Sequence, residues 1–295
     1  MKYKKTAGDI LFDIILYTIV VFVLIVTIYP IVYTFSMAIS DPIEAARGNV
    51  WLLPAGLSFS AMETVLKDPN VLIYYMNTIW YTVVGTLTGI ITTTLMAYPL
   101  SRTEFRSRNI FYKIIMFTMF FSGGLIPTYI VVTQYAHLYN NRWALILPAL
   151  TSAWYVTVTK NFFQSLPGEV IECARIDGAS EYRIFGQIVI PLSKPVLAVL
   201  SMYYAISHWN GYFNAMLYLS DMELHPMSLY VRRVVIQGTM SDLIDAAAEV
   251  SPEMLLSSMQ LKYAVIVVTV LPMLLIYPFL SKYFEKGLLI GSIKG

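Results

Sequence analysis

Six apolar stretches, each long enough to cross roughly 30 Å of hydrocarbon as a helix, constrain this chain more than any other feature. They run approximately over Ile14–Ile39, Tyr74–Leu100, Phe111–Thr133, Ala144–Thr159, Pro195–Ser220 and Tyr263–Ser281, the fourth reaching full length only if Asn161–Phe163 extend it. A bilayer offers no water to backbone N–H and C=O groups, so each span must close its own hydrogen bonds, and a helix does this within one segment. The expected fold class is therefore all-α: a polytopic membrane protein with six transmembrane helices. Composition agrees, with 57% hydrophobic and only 13% charged residues among 295, against about 25% charged in soluble domains. The N-terminus begins basic, at Lys2, Lys4 and Lys5. The apolar run behind it is too long for a cleaved signal and lacks a small-residue cleavage site, so it reads as a retained first span.

Lysine and arginine orient the bundle. With both termini in the cytoplasm, 14 of the 20 fall on the inner side, in the N-terminus, the 102–113 and 160–194 segments and the C-terminus. This positive-inside bias places residues 168–191 in the cytoplasm and residues 221–259 outside. Trp80 and Trp143 fall at outer ends of spans, where an interfacial belt and a packed core account for them equally well.

What is missing narrows the function. None of the six windows contains Asp or Glu, and ion-coupled carriers keep an intramembrane carboxylate to bind and release their ion. There is no GxxxxGK[ST] loop to cradle a nucleotide, no HExxH pair and no GxSxG elbow. The three histidines, His137, His208 and His225, lie far apart in sequence, and Cys173 has no second cysteine with which to pair. A net charge of +2 without a basic stripe argues against nucleic acid. A channel, a scaffold, or the membrane half of a pump powered by another chain remains.

The polar insert EVIECARIDGASEYRIFGQIVIPLSKP, residues 169–195, discriminates among these. Pro167 and Gly168 interrupt the preceding span. Glu169–Ile176 follows as a short helix with acidic residues in its first turn, where the helix dipole favours them. Asp177-Gly178 is a turn signal. Ser180 is placed to cap a second helix, along which Tyr182, Phe185 and Val189 recur at helical spacing before Pro191 stops it. The predicted product is a compact cytoplasmic helix-turn-helix, readable as an amphipathic surface loop or as a docking knob for a partner.

The motif E-x-A-x-x-D-G-A, with Phe185, Ile188, Pro191 and Pro195 at the expected distances, resembles the EAA loop of bacterial ABC importer permeases. The resemblance implies that this loop sits in a groove of an ATPase subunit and couples nucleotide-driven closure to the membrane helices. On this chain the role falls on Glu172, Ala174, Asp177, Gly178 and Ala179, with Phe185 and Pro191 following, and with Arg175 and Arg183 as salt-bridge contributors. Cys173 departs from the family's usual alanine by a small-for-small change. Residues 77–102, the stretch NNRWALIL at 140–147 and the ending YFEKGLLIGSIKG are similar to the carbohydrate-importer branch, specifically the smaller permease subunit of maltose transporters. The resemblance implies a second permease, two copies of an ATPase that bind ATP and magnesium, an extracytoplasmic solute-binding protein, and no cofactor on this chain. It further implies a location in the bacterial cytoplasmic membrane. It assigns the tail 282–295, with Lys286, Gly287, Gly291 and Lys294, to the interface between the ATPases.

Candidate pathway residues are Asn77, opening the second span, and His208, Trp209, Asn210, Tyr212 and Asn214 in the outer half of the fifth. Amides beside aromatic faces suit sugars, although polar residues in membrane helices also serve as interhelical glue. The 221–259 segment carries six acidic residues against two arginines, and its apolar Leu229–Ile236 reads either as a contact for the binding protein or as a lid over the bundle. The sequence-level expectation is thus a single permease domain importing a carbohydrate, most simply an oligosaccharide, by alternating access. An ABC permease for another solute, or an uncoupled channel or scaffold, are the alternatives.

Overall fold

The computed structural model describes residues 6–245 and 260–275, with the side chains of 237–245 left aside. Among the described residues the chain is helical without strands, apart from an isolated bridge between Ser40 and Leu57. It divides into two compact units, Met1–Pro69 with Val231–Leu271, and Asn70–Tyr230 with Pro272–Gly295.

In the first unit, α1 (Ala7–Ala38) begins at a capping box: the Asp9 amide donates to Thr6 Oγ1 (3.3 Å) and the Thr6 amide to Asp9 Oδ2 (2.8 Å). These bonds satisfy two of the amides that a helix start leaves orphaned. Its 32 residues span about 48 Å at 1.5 Å each. Among the described residues no part of its apolar window is buried, and the buried residues of the helix are Ser36, Met37 and Ala38. Met37 packs with Ala45 of α2 (Pro42–Ala46) and with Val50. The side-chain Nε2 of Gln260, which opens the helix Gln260–Leu275, donates to the carbonyls of Met37 and Ser40. The amphipathic α3 (Ser60–Lys67) completes the described N-terminal segment.

The second unit is arranged on α4 (Pro69–Ser101). Four successive positions at i, i+4 spacing on one side of α4, Gly85, Gly89, Thr93 and Ala97, are small and buried; a Cβ at Gly89 would lie 2.6 Å from Tyr204 Cε1, while one at Gly85 would collide with the His208 ring. This small-xxx-small spacing lets two helices approach closely in an apolar medium.

Several apolar windows are bent or broken. The third divides into α5 (Arg108–Phe120) and α6 (Leu125–Ile130), the latter continued by a π-helical turn to Tyr135, with 114° between them across Phe121–Gly124. The fourth starts with 3-10 turns at Arg142–Leu145 and Leu147–Ala149, the second containing Pro148, and becomes regular only in α7 (Ala153–Gln164). Asn161–Phe163 do extend it. The Leu150 carbonyl, left outside both elements, accepts from Thr92 Oγ1 (2.9 Å) and Tyr204 Oη (3.1 Å). A break in a helix at membrane depth is tolerated when neighbouring side chains satisfy the freed backbone in this way. After α8 (Gly168–Ile176) and α9 (Glu181–Ile184), a π-helical turn at Phe185–Val189 leads into α10 (Ile190–Leu192). The chain then bends by 79° at Ser193 into α11 (Lys194–Asn210). Gly211 separates α11 from α12 (Phe213–Tyr218). The 221–259 segment is not a plain loop: α13 covers Met227–Asp245. Among the described residues two single helices, α1 and α4, are long and apolar enough to span a membrane, and the bent pairs raise this to four.

Candidate functional site

The helix-turn-helix forms as the sequence implies, and its turn explains why. Helix α8 ends in a Schellman motif: the Ala179 amide donates to the Ala174 carbonyl (2.9 Å) and the Gly178 amide to that of Arg175 (3.0 Å). Gly178 closes it at φ +78°, a conformation that a Cβ resists. The inner surface is apolar. Ile171, Ile184 and Val189 are buried with Ala97 and Leu100 of α4 and Val156 and Phe163 of α7, flanked by Ala174, Ala179 and Phe185.

Three details differ from the sequence reading. Tyr182 does not belong to the inner stripe and is 90% exposed, while Ile184 takes its place, because the π-helical turn at Phe185–Val189 shifts the helical phase. Ser180 occupies the N-cap position without making a side-chain cap bond. Pro191 does not stop the helix, which runs continuously from Glu181 through the π-helical turn to Leu192, and the break comes at Ser193.

Ionic contacts fix the knob to the start of the 102–107 segment. Arg175 pairs with Glu104 and with Glu181, the latter through Nη2 at 2.9 Å and Nε at 3.1 Å. Tyr98 Oη donates to the other oxygen of Glu181 at 2.6 Å, and its ring lies 4.9 Å from Phe185. Hydrogen bonding from Arg175 holds the Glu104 carboxyl down to about 2, and the pairing pushes Arg175 further up. Arg183 makes no described ion pair; its Nε donates to Gln187 on the same stretch of helix (3.0 Å). The outward face carries Ile176, 85% exposed, with Tyr182 and the exposed Glu172, Cys173 and Asp177. A cleft of about 300 Å³ lies beside it, lined by Arg102, Glu104, Arg108 and Glu172 among others.

The pathway candidates do not converge on one surface. His208 is half-buried, with its ring in the Gly85 notch, and Trp209 is buried. Asn210, Tyr212 and Asn214 are exposed on either side of the Gly211 break. His208 and Asn214 border one small cleft with Tyr81, Ser207 and Gly211.

Asn77 is 3% exposed and sits in a knot of its own. Its Nδ2 donates to the carbonyls of Glu223 (2.6 Å) and His225 (3.1 Å), and its Oδ1 accepts from Arg142 Nη2 (3.0 Å). Tyr81 Oη donates to the Leu224 carbonyl (2.8 Å), and the Met227 amide to Thr78 Oγ1 (2.7 Å). Asn140 Oδ1 accepts from the amides of Ser220 and Asp221. Leu229, at the apolar end of the outer segment, is buried in the chain's own core with Tyr81, Leu145 and Tyr218. The rest of that segment at 246–259, and the tail residues Lys286, Gly287, Gly291 and Lys294, lie outside the described residues.

Sequence reasoning missed Glu104, Tyr98 and Arg142, whose partners lie 71, 83 and 65 residues away. It also missed Gly85 and Gly89, although their spacing in an apolar helix was a readable signal.

Comparison with known proteins agrees with this geometry. The profile of the family described as binding-protein-dependent transport system inner membrane component matches residues 3–290. The protein LplC of Bacillus subtilis (strain 168) is 39% identical over 92% of this chain and 90% of its own length. The polygalacturonan/rhamnogalacturonan transport system permease protein YtcP of the same organism is 36% identical over 97% and 99%. Among solved structures, a chain of a bacterial ABC transporter involved in import of the acidic polysaccharide alginate superposes with a TM-score of 0.86 at 33% identity, covering 96% of this chain and 100% of that one. A chain so matched along nearly its whole length belongs to the family of inner membrane components of binding-protein-dependent transport systems, and is a transport subunit rather than an enzyme.

Proposed function

We propose that this chain is one of two permease subunits of an ABC importer that carries an oligosaccharide, of the acidic, uronate-bearing class, into a bacterial cytoplasm by alternating access. Relatives named for polygalacturonan/rhamnogalacturonan and for alginate, both acidic, support the substrate class. In this reading the chain crosses the membrane six times with both termini inside. A second permease completes the pathway, two copies of an ATPase bind and hydrolyse ATP with magnesium, and a solute-binding protein docks outside on the 221–259 side.

The observation that carries the proposal is the two-faced knob. Its inner surface is locked into the α4–α7 core and clasped by Arg175, so a force on it moves those helices as a body. Its outer surface exposes Ile176 and Tyr182 among charges, the composition of a partner contact rather than of a solvated turn. We assign Glu172, Ala174, Asp177, Gly178 and Ala179 to this coupling element. Along the pathway, His208, Asn210, Tyr212 and Asn214 stay as candidates. Asn77, with both amide hydrogens and its oxygen engaged, acts as the interhelical tie instead.

Co-expression with the ATPase tests the reading. The unaltered chain should co-purify with two ATPase copies per permease pair, and Ile176→Asp with Tyr182→Asp should release them while leaving the permease pair intact. Full retention of the ATPase by this variant would remove the docking assignment.

A further inference from the structure

We propose that Arg142, with Trp80 and Trp143, forms a subsite for a sugar carboxylate. The proposal rests on the oligosaccharide-importer reading and adds to it the group that would recognise an acidic residue of the sugar. Arg142 is half-buried at the start of the 140–147 stretch. Its described partners are the neutral amide oxygen of Asn77 and the face of Trp80, 5.4 Å from the guanidinium carbon. Two other described cations of the predicted outer side differ: Arg47 pairs with Glu44 and Lys67 with Glu63. With only neutral described partners, the Arg142 charge stays available to an anionic ligand.

The arrangement is also pre-organised. Asn77 is held by two backbone carbonyls, so the oxygen that aims Arg142 is itself fixed. One Nη is used, and the planar fork keeps further donors for a carboxylate, which guanidinium binds in bidentate fashion. Trp80 and Trp143 meet edge to face at 5.9 Å and 77°, and Trp143 is 42% exposed, leaving an aromatic surface for the C–H face of a sugar ring. A cation beside an accessible indole is the donor set that a uronate needs and a neutral sugar does not.

The test measures binding of trigalacturonate and of galactotriose to the assembled transporter in lipid nanodiscs without binding protein, by saturation-transfer NMR titration. The unaltered transporter should bind trigalacturonate more tightly than galactotriose. Arg142→Gln should weaken trigalacturonate about tenfold, towards the lower end of what a charge-assisted pair contributes. Arg142→Lys should restore part of that loss. Equal weakening of both sugars would mark Arg142 as structural only and overturn the proposal, as would an unchanged trigalacturonate affinity. The importer reading is judged separately, by ATP-driven uptake of trigalacturonate in vesicles with binding protein. Uptake that persists without preferential binding at Arg142 removes the subsite alone, and absent uptake removes the acidic-oligosaccharide reading and the subsite with it.

Discussion

Gly89→Ala is the most informative single change in the membrane-embedded part. The new Cβ would meet Tyr204 Cε1, Cζ and Cδ1 at 2.6, 2.8 and 2.9 Å, against the roughly 3.5–4.0 Å at which carbon atoms rest. About 1 Å must therefore be found. The ring cannot supply it by swinging, because its hydroxyl is tied to Thr93 Oγ1 (2.7 Å) and to the Leu150 carbonyl (3.1 Å), and Tyr204 is buried. Overpacking of this kind costs about 1–3 kcal/mol, and the tethered ring puts the expectation at about 2 kcal/mol in equilibrium unfolding from mixed micelles. Tyr204→Leu alone should also destabilise, by losing ring contacts and both hydrogen bonds. Because it vacates the space that the new methyl group needs, the double variant should be more stable than the sum of the singles by about 1 kcal/mol or more. Strict additivity, or a Gly89→Ala cost under about 0.5 kcal/mol, would refute the close approach of α4 and α11.

Other expectations follow from the knob and the knot. Nothing lies within 4 Å of a Cβ at Gly178, so Gly178→Ala should cost only backbone strain, about 1 kcal/mol, read from hydrogen exchange over residues 172–181. Gly178→Asp adds a second carboxylate beside Asp177 and should leave the protein inserted while uncoupling uptake from ATP hydrolysis; normal uptake would contradict this. The Glu104 carboxyl lies near 2 instead of its usual 4.5, so its contribution is present above 4.5 and is lost as pH falls through about 2. Exchange protection of the knob should then be flat from about pH 8 to about pH 5 and decline only below; a step near neutrality would point to a different group. Asn77→Ala strands the buried His225 carbonyl, removes the bond to the part-buried Glu223 carbonyl and frees Arg142, and should lower stability by about 1–3 kcal/mol in the same micelle assay.

The features legible in the sequence were those set by local chemistry. Asp177-Gly178 announced its turn because a Schellman close needs a left-handed residue, and the apolar lengths of α1 and α4 are simple sums over residues. The bends at Phe121–Gly124 and Ser193 and the helix break at Gly211 were hidden, because hydropathy averages over a window and registers neither a change of direction nor an interruption. The inner stripe of the knob was misread by one side chain because a π-helical turn inserts an extra residue into the period, exchanging Tyr182 for Ile184. Pairings such as Arg175 with Glu104 had no local signal, since the fold alone brings residues 71 positions apart together. Asn77 read from the sequence as a pathway candidate or as interhelical glue, and its saturation by Glu223, His225 and Arg142 became visible only with the chain folded.

The central claim, that the knob transmits work from an ATPase to this permease, is tested most directly by ATP-driven oligosaccharide uptake into proteoliposomes containing the assembled transporter and its binding protein. The variant to compare is Arg175→Met, which removes the clasp to Glu104 and Glu181 but leaves the exposed Ile176 and Tyr182 in place. The account predicts that the ATPase still binds and hydrolyses ATP while sugar moved per ATP falls several-fold, with Arg175→Lys in between. Unchanged sugar moved per ATP in Arg175→Met would contradict it.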